Sequence, residues 1–324
     1  MPPVRRKRYR YRLRRLTPVG LLVVFAGLGG AWIGSHKPSD SFASGPPLAV
    51  VRSLHPLVPK QAVVVQPQRL LLGGSMLRHE FSPRLAGAAA VLIDAKTGRV
   101  LWARKAHERR QVASTTKIMT ALLALRMLQP HDIVTVDRSV PRVPLVREGL
   151  RAGERVEAWK LFTSMLLFSG NDDALALAIA AGGEKWTFIR AMNAEAHKLG
   201  LRDTHFSSPS GVKDADNYSS AWDLAALTRV AMRKERFRAI VRKKVAHVKW
   251  SAPTYAKIYV NNNRLLRSYP GADGVKTGYT HKSGPCLVAS ATRGGVSLIA
   301  VVLDSSNMYD DATRLLNFGF ASLG

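Results

Sequence analysis

Stretches with the composition of β-strands stand at both ends of residues 86–324, and the segments between them have helical character. At the start, 88–94 and 99–104 are apolar stretches separated by a tight-turn sequence. At the end, 284–292 and 296–303 flank an Arg-Gly-Gly turn, which is a hairpin signal. Strands around a helical middle predict a single α+β domain: a mostly antiparallel sheet, closed by both ends of the segment, beside a helical subdomain.

The middle of the chain has the three- and four-residue hydrophobic spacing of helices. This spacing begins after Gln111, and no proline follows before Pro130. Gly200 has the position of a C-terminal cap, and Asp310 or Asp311 has that of an N-terminal cap for a last helix. The pattern predicts helices from about Ser114 towards Pro130, over 156–168, 172–181, 184–199 and 220–233, and up to Leu323.

A basic run directly precedes an uncharged apolar stretch at the N-terminus. Residues 5–15 contain eight Lys and Arg and no acid, and residues 16–34 contain no charge. This pairing predicts a signal peptide or an N-terminal membrane anchor in residues 1–35, with cleavage left open. Because positive flanks remain in the cytoplasm, we expect the rest to be extracytoplasmic, either anchored or secreted after cleavage. Residues 36–85 are rich in proline and predict a linker to the domain at 86–324.

The composition is that of a globular protein with a strong positive charge. Hydrophobic residues make up 46% of the chain and charged residues 22%, which excludes a disordered protein. The net charge of +27 indicates an anionic partner such as a nucleic acid, a membrane surface, a wall polymer or an acidic peptide. The position of the basic run favours the membrane, so no nucleic acid is expected. The single cysteine, Cys286, excludes an intrachain disulfide, and its apolar surroundings predict a buried side chain.

Three short motifs that suit serine chemistry each occur twice. One copy of each falls where a turn or loop is predicted: one lies between two strands, one follows the last strand, and one follows Pro209 in a Gly- and Asp-rich segment. Residues three apart share a face on a helix but not in the loop after Pro209, so that Ser-x-x-Lys copy is set aside. The other two copies are interpreted as a hairpin turn and as a loop that leads into a helix. The retained copies, with the discarded ones in parentheses, are Ser-x-x-Lys at 114–117 (210–213), Ser-x-Asn at 169–171 (305–307) and Lys-Thr-Gly at 276–278 (96–98).

The retained residues have the properties of a nucleophile and its base. Ser114 and Lys117 begin a predicted helix, where residues three apart have Cβ atoms about 5 to 6 Å apart. A lysine activates a serine only when neutral, and lowering its pKa from about 10.4 to about 7 costs about 4.6 kcal/mol. Burial and a second cation, Lys276, both lower that pKa, and Lys276 also attracts an anionic substrate terminus. Ser169 can pass the proton to the leaving amine, and Asn171 can position Lys117 and a substrate amide.

The order of the three motifs resembles that of the penicillin-recognising serine enzymes. From about residue 88 to the end, the chain is similar to the low-molecular-mass D-alanyl-D-alanine carboxypeptidases. The resemblance implies a β-lactamase/penicillin-binding-like fold and a serine enzyme that removes the terminal D-alanine of peptidoglycan pentapeptide stems through an acyl-enzyme. It also implies inhibition by β-lactam antibiotics. The stretches that carry it are 92–101, 113–121, 169–174, 261–266 and 273–280.

The same resemblance assigns roles to individual residues. It implies that Ser114 is the nucleophile, that Lys117 is the base, and that the backbone amides of Ser114 and Tyr279 form the oxyanion hole. It further implies that Thr277 and Thr280 contact the substrate carboxylate.

Two positions depart from the family pattern, and one glycine has a physical role of its own. Gly278 allows the strand backbone to approach the substrate without a side chain in the way. The family's carboxylate-binding arginine is not placed, since Asn262 and Arg264 both fall near it. Val112 stands where the family usually has a proline.

Other functions are available to the same scaffold. An acyl-enzyme that passes to an amine gives a DD-transpeptidase, and the sequence does not choose between the two outcomes. A β-lactamase predicts Ser-Asp-Asn, but Gly170 replaces the aspartate, and no glutamate motif stands out. A non-catalytic cell-wall binding protein explains the charge but not three intact motifs. The histidines have no metal-ligand spacing, so we expect neither a metal nor a cofactor.

Overall fold

The computed structural model describes residues 82–212, 216–250 and 255–323. The predicted signal peptide or anchor at 1–35 and most of the predicted linker lie outside these residues, so both stay predictions. Within the described part, no helix combines the length and the apolar character that a membrane crossing requires.

The described residues contain a central sheet and three two-stranded sheets. In chain order the strands are β1 (Ala89–Asp94), β2 (Val100–Arg104), β3 (Arg110–Gln111), β4 (Ile133–Thr135), β5 (Arg155–Glu157), β6 (Tyr218–Ser219), β7 (Val245–Val248), β8 (Lys257–Val260), β9 (Ala272–Thr280), β10 (Gly284–Arg293) and β11 (Val296–Leu303).

Five of these strands form one antiparallel sheet in the order β2–β1–β11–β10–β9. The first strand of the domain pairs with the last, and Ala90 lies opposite Val302. Strands from both ends therefore close one sheet, which confirms the predicted topology. The β1–β2 turn contains the discarded Lys-Thr-Gly copy, where Asp94 Oδ1 accepts hydrogen bonds from the amides of Lys96 and Thr97 at 2.7 and 3.2 Å. That copy is a hairpin turn, as predicted.

The helices follow the predicted order, with additions. They are α1 (Lys117–Met127), α2 (Ala158–Leu167), α3 (Asn171–Gly182), α4 (Lys185–Lys198), α5 (Ala221–Met232), α6 (Glu235–Val241), α7 (Leu265–Ser268) and α8 (Met308–Leu323). The second helix begins later than predicted, because Val156 pairs with Val134 between β4 and β5. The short helices α6 and α7 and the β7–β8 hairpin were not predicted, since none is long enough to show a hydrophobic period.

Helices cover both faces of the sheet. On one face, Leu315 and Leu316 of α8 pack with Leu92 of β1. On the other face, α5 packs with the opposite set of strand residues, and α1 packs with α5. The helix α1 is buried on all sides over residues 117–125, as expected of a core helix. A polar side chain at its start, such as Lys117, is therefore removed from water.

The prediction that Asp310 or Asp311 caps the last helix was wrong. The helix α8 begins earlier, at Met308, and Asp311 is buried in its first turn. Its carboxylate accepts hydrogen bonds from the amides of Ala86 and Gly87 at 3.0 and 2.8 Å, and one from Ser305 Oγ at 2.7 Å. Asp311 thus satisfies backbone donors at the entry to the domain.

Candidate active site

Ser114 and Lys117 meet at the entry to α1. Ser114 lies in a short 3₁₀ helix, Ala113–Thr116, and Lys117 is the first residue of α1. The Nζ of Lys117 is 2.8 Å from the Oγ of Ser114. The expected contact between the amine and the hydroxyl is therefore present, and it has the geometry that a base and a nucleophile require.

The Lys117 amine is fully buried and held by three oxygens. Besides Ser114 Oγ, it contacts Asn171 Oδ1 at 2.7 Å and the carbonyl oxygen of Ser210 at 3.2 Å. Burial lowers the pKa of Lys117 well below its usual value, and the nearby Lys276 lowers it further, against the opposing charge of Asp173. The environment favours the neutral amine, which is the form that accepts a proton from a hydroxyl.

Ser169 and Lys276 form a second pair beside the first. Ser169 lies in the break between α2 and α3 with a φ of 78°, a left-handed conformation that fixes the turn. Lys276 of β9 donates hydrogen bonds from Nζ to Ser169 Oγ at 3.1 Å and to the carbonyl oxygen of Thr277 at 2.9 Å. Burial lowers the pKa of Lys276 to about 7. The Ser169 hydroxyl accepts from Lys276, so its own hydrogen can point into the cavity.

Gly278 allows β9 to contact the start of the 3₁₀ helix that contains Ser114. A Cβ at this position would lie 2.8 Å from the carbonyl oxygen of Val112 and 3.1 Å from the amide nitrogen of Ser114. Gly278 therefore lets β9 approach the backbone that leads into Ser114, whereas the prediction was that it lets β9 approach the substrate. It also places the Ser114 amide beside the strand that contains Tyr279, as an oxyanion hole requires.

A cavity of about 980 Å³ opens in front of the two serines. Thr277, Gly278 and Tyr279 line it from β9, whereas Lys117, Asn171 and Lys276 lie buried behind the wall. Its other lining residues include Ser114, Ser169, Val146, Phe168, Asn262, Arg264, Arg267 and Tyr309.

Thr280 is placed differently from Thr277. It is absent from the cavity lining, and its Oγ1 is 2.9 Å from Ser283 Oγ in the β9–β10 turn. Its contact with a substrate carboxylate stays a prediction.

Asn262 and Arg264, the two positions left open for the family arginine, both line the cavity, and so does Arg267. The guanidinium of Arg264 lies 5.6 Å from the ring centre of Tyr309.

The loop that contains the discarded Ser-x-x-Lys copy supports the active site. Its described residues, up to 212, have no helical structure, as predicted. The Ser210 carbonyl contacts Lys117, and Pro209 O accepts a hydrogen bond from Thr120 Oγ1 at 2.6 Å. Gly211 has a φ of +75°, and a Cβ there would lie 2.0 Å from Ala113 O. This support was not predicted, because a glycine within the loop is its only local signal in the sequence.

A cluster of buried acids behind Lys117 was also missed. Asp172 accepts hydrogen bonds from the amides of Glu148 and Gly149 at 2.7 and 2.8 Å, which ties the preceding loop to α3. Ser164 Oγ lies 2.6 Å from Asp173 Oδ2 and 2.8 Å from Glu148 Oε2. One hydroxyl supplies one proton, so one of these carboxyls must be protonated. Burial, followed by the charges of Asp172 and Glu148, raises the pKa of Asp173 well above its usual value, which favours protonation of Asp173.

Comparison with known proteins agrees with this geometry. The family model described as D-alanyl-D-alanine carboxypeptidase matches residues 78–307. D-alanyl-D-alanine carboxypeptidase DacF of Bacillus subtilis is 35% identical over 242 residues, which are 72% of this chain and 62% of that protein. The D-alanyl-D-alanine carboxypeptidase of Streptomyces sp. strain K15 is 35% identical over 269 residues, 77% of this chain and 92% of that protein.

A solved structure has the same fold. The Streptomyces K15 DD-transpeptidase superposes with a TM-score of 0.71 at 35% identity, covering 74% of this chain and 99% of that one. The implied penicillin-binding-type fold is therefore confirmed. With a family model that spans most of the domain and relatives of this identity, the chain belongs to the D-alanyl-D-alanine carboxypeptidase family.

Proposed function

We propose that this protein is a serine-type D-Ala-D-Ala carboxypeptidase that removes the terminal D-alanine of peptidoglycan pentapeptide stems. The observation that carries the proposal is the buried Lys117 amine, 2.8 Å from the hydroxyl of Ser114, at the edge of a large open cavity. A neutral amine in that position converts the serine into a nucleophile. The same serine would be acylated by β-lactam antibiotics, which makes the protein penicillin-binding.

In the first half of the reaction, Lys117 takes the proton of Ser114, and Oγ attacks the carbonyl carbon of the penultimate D-alanine. The amides of Ser114 and Tyr279 stabilise the oxyanion; one such donor is typically worth about 2.7 to 4 kcal/mol. The carbon–nitrogen bond then breaks, and the Ser169 hydroxyl donates its proton to the leaving amine. The proton that Lys117 took from Ser114 then passes to Ser169, whose Oγ is held by Lys276, so Lys117 is neutral again before the second half begins.

In the second half, water attacks the ester and Lys117 accepts one of its protons. The acid of the shortened peptide leaves, and Ser114 regains its hydrogen. If an amine replaces water, the same site gives a DD-transpeptidase, a second candidate favoured by the likeness to the K15 DD-transpeptidase.

The cavity has the charge to hold a peptide with a free carboxylate. Arg264 and Arg267 line the same cavity as Thr277, and each can attract the terminal carboxylate of the substrate. Thr277 adds a hydroxyl on β9, next to the edge that approaches Ser114. We infer that the substrate carboxylate lies between β9 and these arginines.

The test is mass spectrometry of a synthetic pentapeptide ending in D-Ala-D-Ala, incubated with the wild type and with Ser114→Ala. We expect loss of one D-alanine with the wild type only; equal turnover by both would refute the mechanism. Addition of glycine as an acceptor separates the two candidates, because a transpeptidase yields the glycine-substituted peptide. A fluorescent penicillin provides a second readout. A stable adduct is expected, whereas rapid loss of the adduct would indicate a β-lactamase.

We also propose that the domain acts outside the cytoplasm, attached through the N-terminal segment or secreted after its cleavage. The basic run before an uncharged stretch supports this, and so does the location of a peptidoglycan substrate. Protease treatment of intact spheroplasts, with immunoblotting of the domain, tests it. A protected domain would contradict the proposal.

A further inference from the structure

A second cavity, of about 580 Å³, lies at the other end of the central sheet. It is enclosed by the β1–β2 turn, the ends of α5 and α6, and the adjoining parts of β9, β10 and β11. It shares no lining residue with the active-site cavity. Along β9, Asp273 lines the second cavity and Thr277 the first, roughly 13 Å apart at the usual rise of a strand.

The second cavity is strongly cationic. Five basic side chains line it, and Asp273 is the one acid among its lining residues: the basic residues are Lys96, Arg229, Arg233, Arg238 and Arg242.

Existing contacts neutralise only part of this charge. The Asp273 carboxylate accepts hydrogen bonds from the hydroxyls of Ser290 and Thr292, and Arg238 pairs with Glu235. Among the residues that the structure describes, Arg233 and Arg242 form no ion pair. The C-terminal ends of α5 and α6 each contribute a partial negative charge of about one half, which offsets about one cation.

One of the arginines is fixed in place before any ligand arrives. Arg229 is 8% exposed, and it donates hydrogen bonds to the carbonyl oxygens of Ala95 and Lys96, both at 2.8 Å. Burial lowers its pKa, and the neighbouring Arg233 lowers it further, against the opposing charge of Asp94. A bound anion would reduce the repulsion between these two positive charges, both of which line the cavity.

We propose that this cavity binds a phosphate group. Guanidinium groups match the oxygens of phosphate through paired hydrogen bonds, and a tetrahedral anion can contact several of them at once. The volume lies within the range of small-ligand sites, and the Ser297 hydroxyl on the wall can complete the contacts. The ligand is a phosphate ester or a phosphodiester, from a soluble metabolite or an anionic wall polymer. This site does not depend on the reaction at Ser114.

Isothermal titration calorimetry of the full chain with inorganic pyrophosphate, at constant ionic strength, tests the site. The double variant R233Q/R242Q removes two lining charges and is expected to weaken binding at least tenfold. The control R151Q/R155Q removes two exposed charges outside both cavities and is expected to weaken it less than threefold. Both variants should acylate with fluorescent penicillin at the wild-type rate, which shows that they fold.

Three outcomes would overturn the proposal: no binding to the wild type, equal weakening by the two double variants, or citrate binding as tightly as pyrophosphate. The last two would mean that net charge alone attracts anions. A glycerol-phosphate oligomer identifies the source of the phosphate. Competition between the oligomer and pyrophosphate supports the site and assigns it to a phosphodiester polymer, whereas binding of pyrophosphate alone supports the site and assigns it to a soluble phosphate ester.

Discussion

Replacing Lys276 by methionine is expected to stabilise the protein while it abolishes catalysis. Methionine has a similar length and no amine, so Lys276→Met relieves the cost of a buried ionisable group. Burial lowers the pKa of Lys276 from 10.5 to about 7. Between these pH values the unfolded chain binds one more proton than the folded one. The wild type therefore loses stability as the pH falls from 10.5 to 7.

The size of the effect follows from this window. At about 1.36 kcal/mol per pH unit, the penalty reaches about 5 kcal/mol at pH 7. The variant also loses the hydrogen bonds to Ser169 and to Thr277 O, each worth about 1 kcal/mol. Lys276→Met should then be more stable than the wild type by about 3 kcal/mol at pH 7, equal to it near pH 9, and less stable by about 2 kcal/mol at pH 10.5.

Urea denaturation at pH 7 and pH 10.5, followed by circular dichroism, measures this difference. Lys198→Met, on the exposed face of α4, is the control and should differ from the wild type by less than about 0.5 kcal/mol at both pH values. A Lys276→Met protein that is no more stable than the wild type at pH 7 would refute the reasoning. So would a stability difference that does not change with pH.

Three further predictions concern the supports of the site. Asp173→Asn should gain stability relative to the wild type as the pH rises above about 4, because the raised pKa of Asp173 makes folding less favourable once the unfolded carboxyl ionises. Melting temperatures of both proteins across this range, with the exposed Glu184→Gln as control, measure the difference. Gly211→Ala should slow acylation by fluorescent penicillin at least tenfold, whereas Gly183→Ala, with a similar φ and nothing within 4 Å, should not. Thr277→Val should lower kcat/KM for the pentapeptide at least tenfold and Thr280→Val less than threefold, since only Thr277 lines the cavity; equal losses would contradict this.

The predictable features were those with a local signal or a short sequence period. The hydrophobic periods of strands and helices predicted the order of the elements. Ser114 and Lys117 were placed together because residues three apart in sequence lie on the same face of a helix. Asp311 was misread because a cap signal is local, whereas its partners Ala86 and Gly87 lie more than 200 residues away. Asp172 and Asp173 resemble ordinary acids in a first helical turn, and only tertiary packing buries them.

The Asp311 contacts also have a mechanical consequence. They fasten the chain at Ala86 and Gly87 to the first turn of α8, and Arg314 of the same helix donates a hydrogen bond to Arg84 O at 2.8 Å. That first turn includes Tyr309, which lines the active-site cavity. Tension applied to the chain ahead of the domain would therefore reach the rim of the cavity through α8, as well as the sheet through Arg104 of β2, which donates hydrogen bonds to Leu85 O at 3.2 and 3.3 Å.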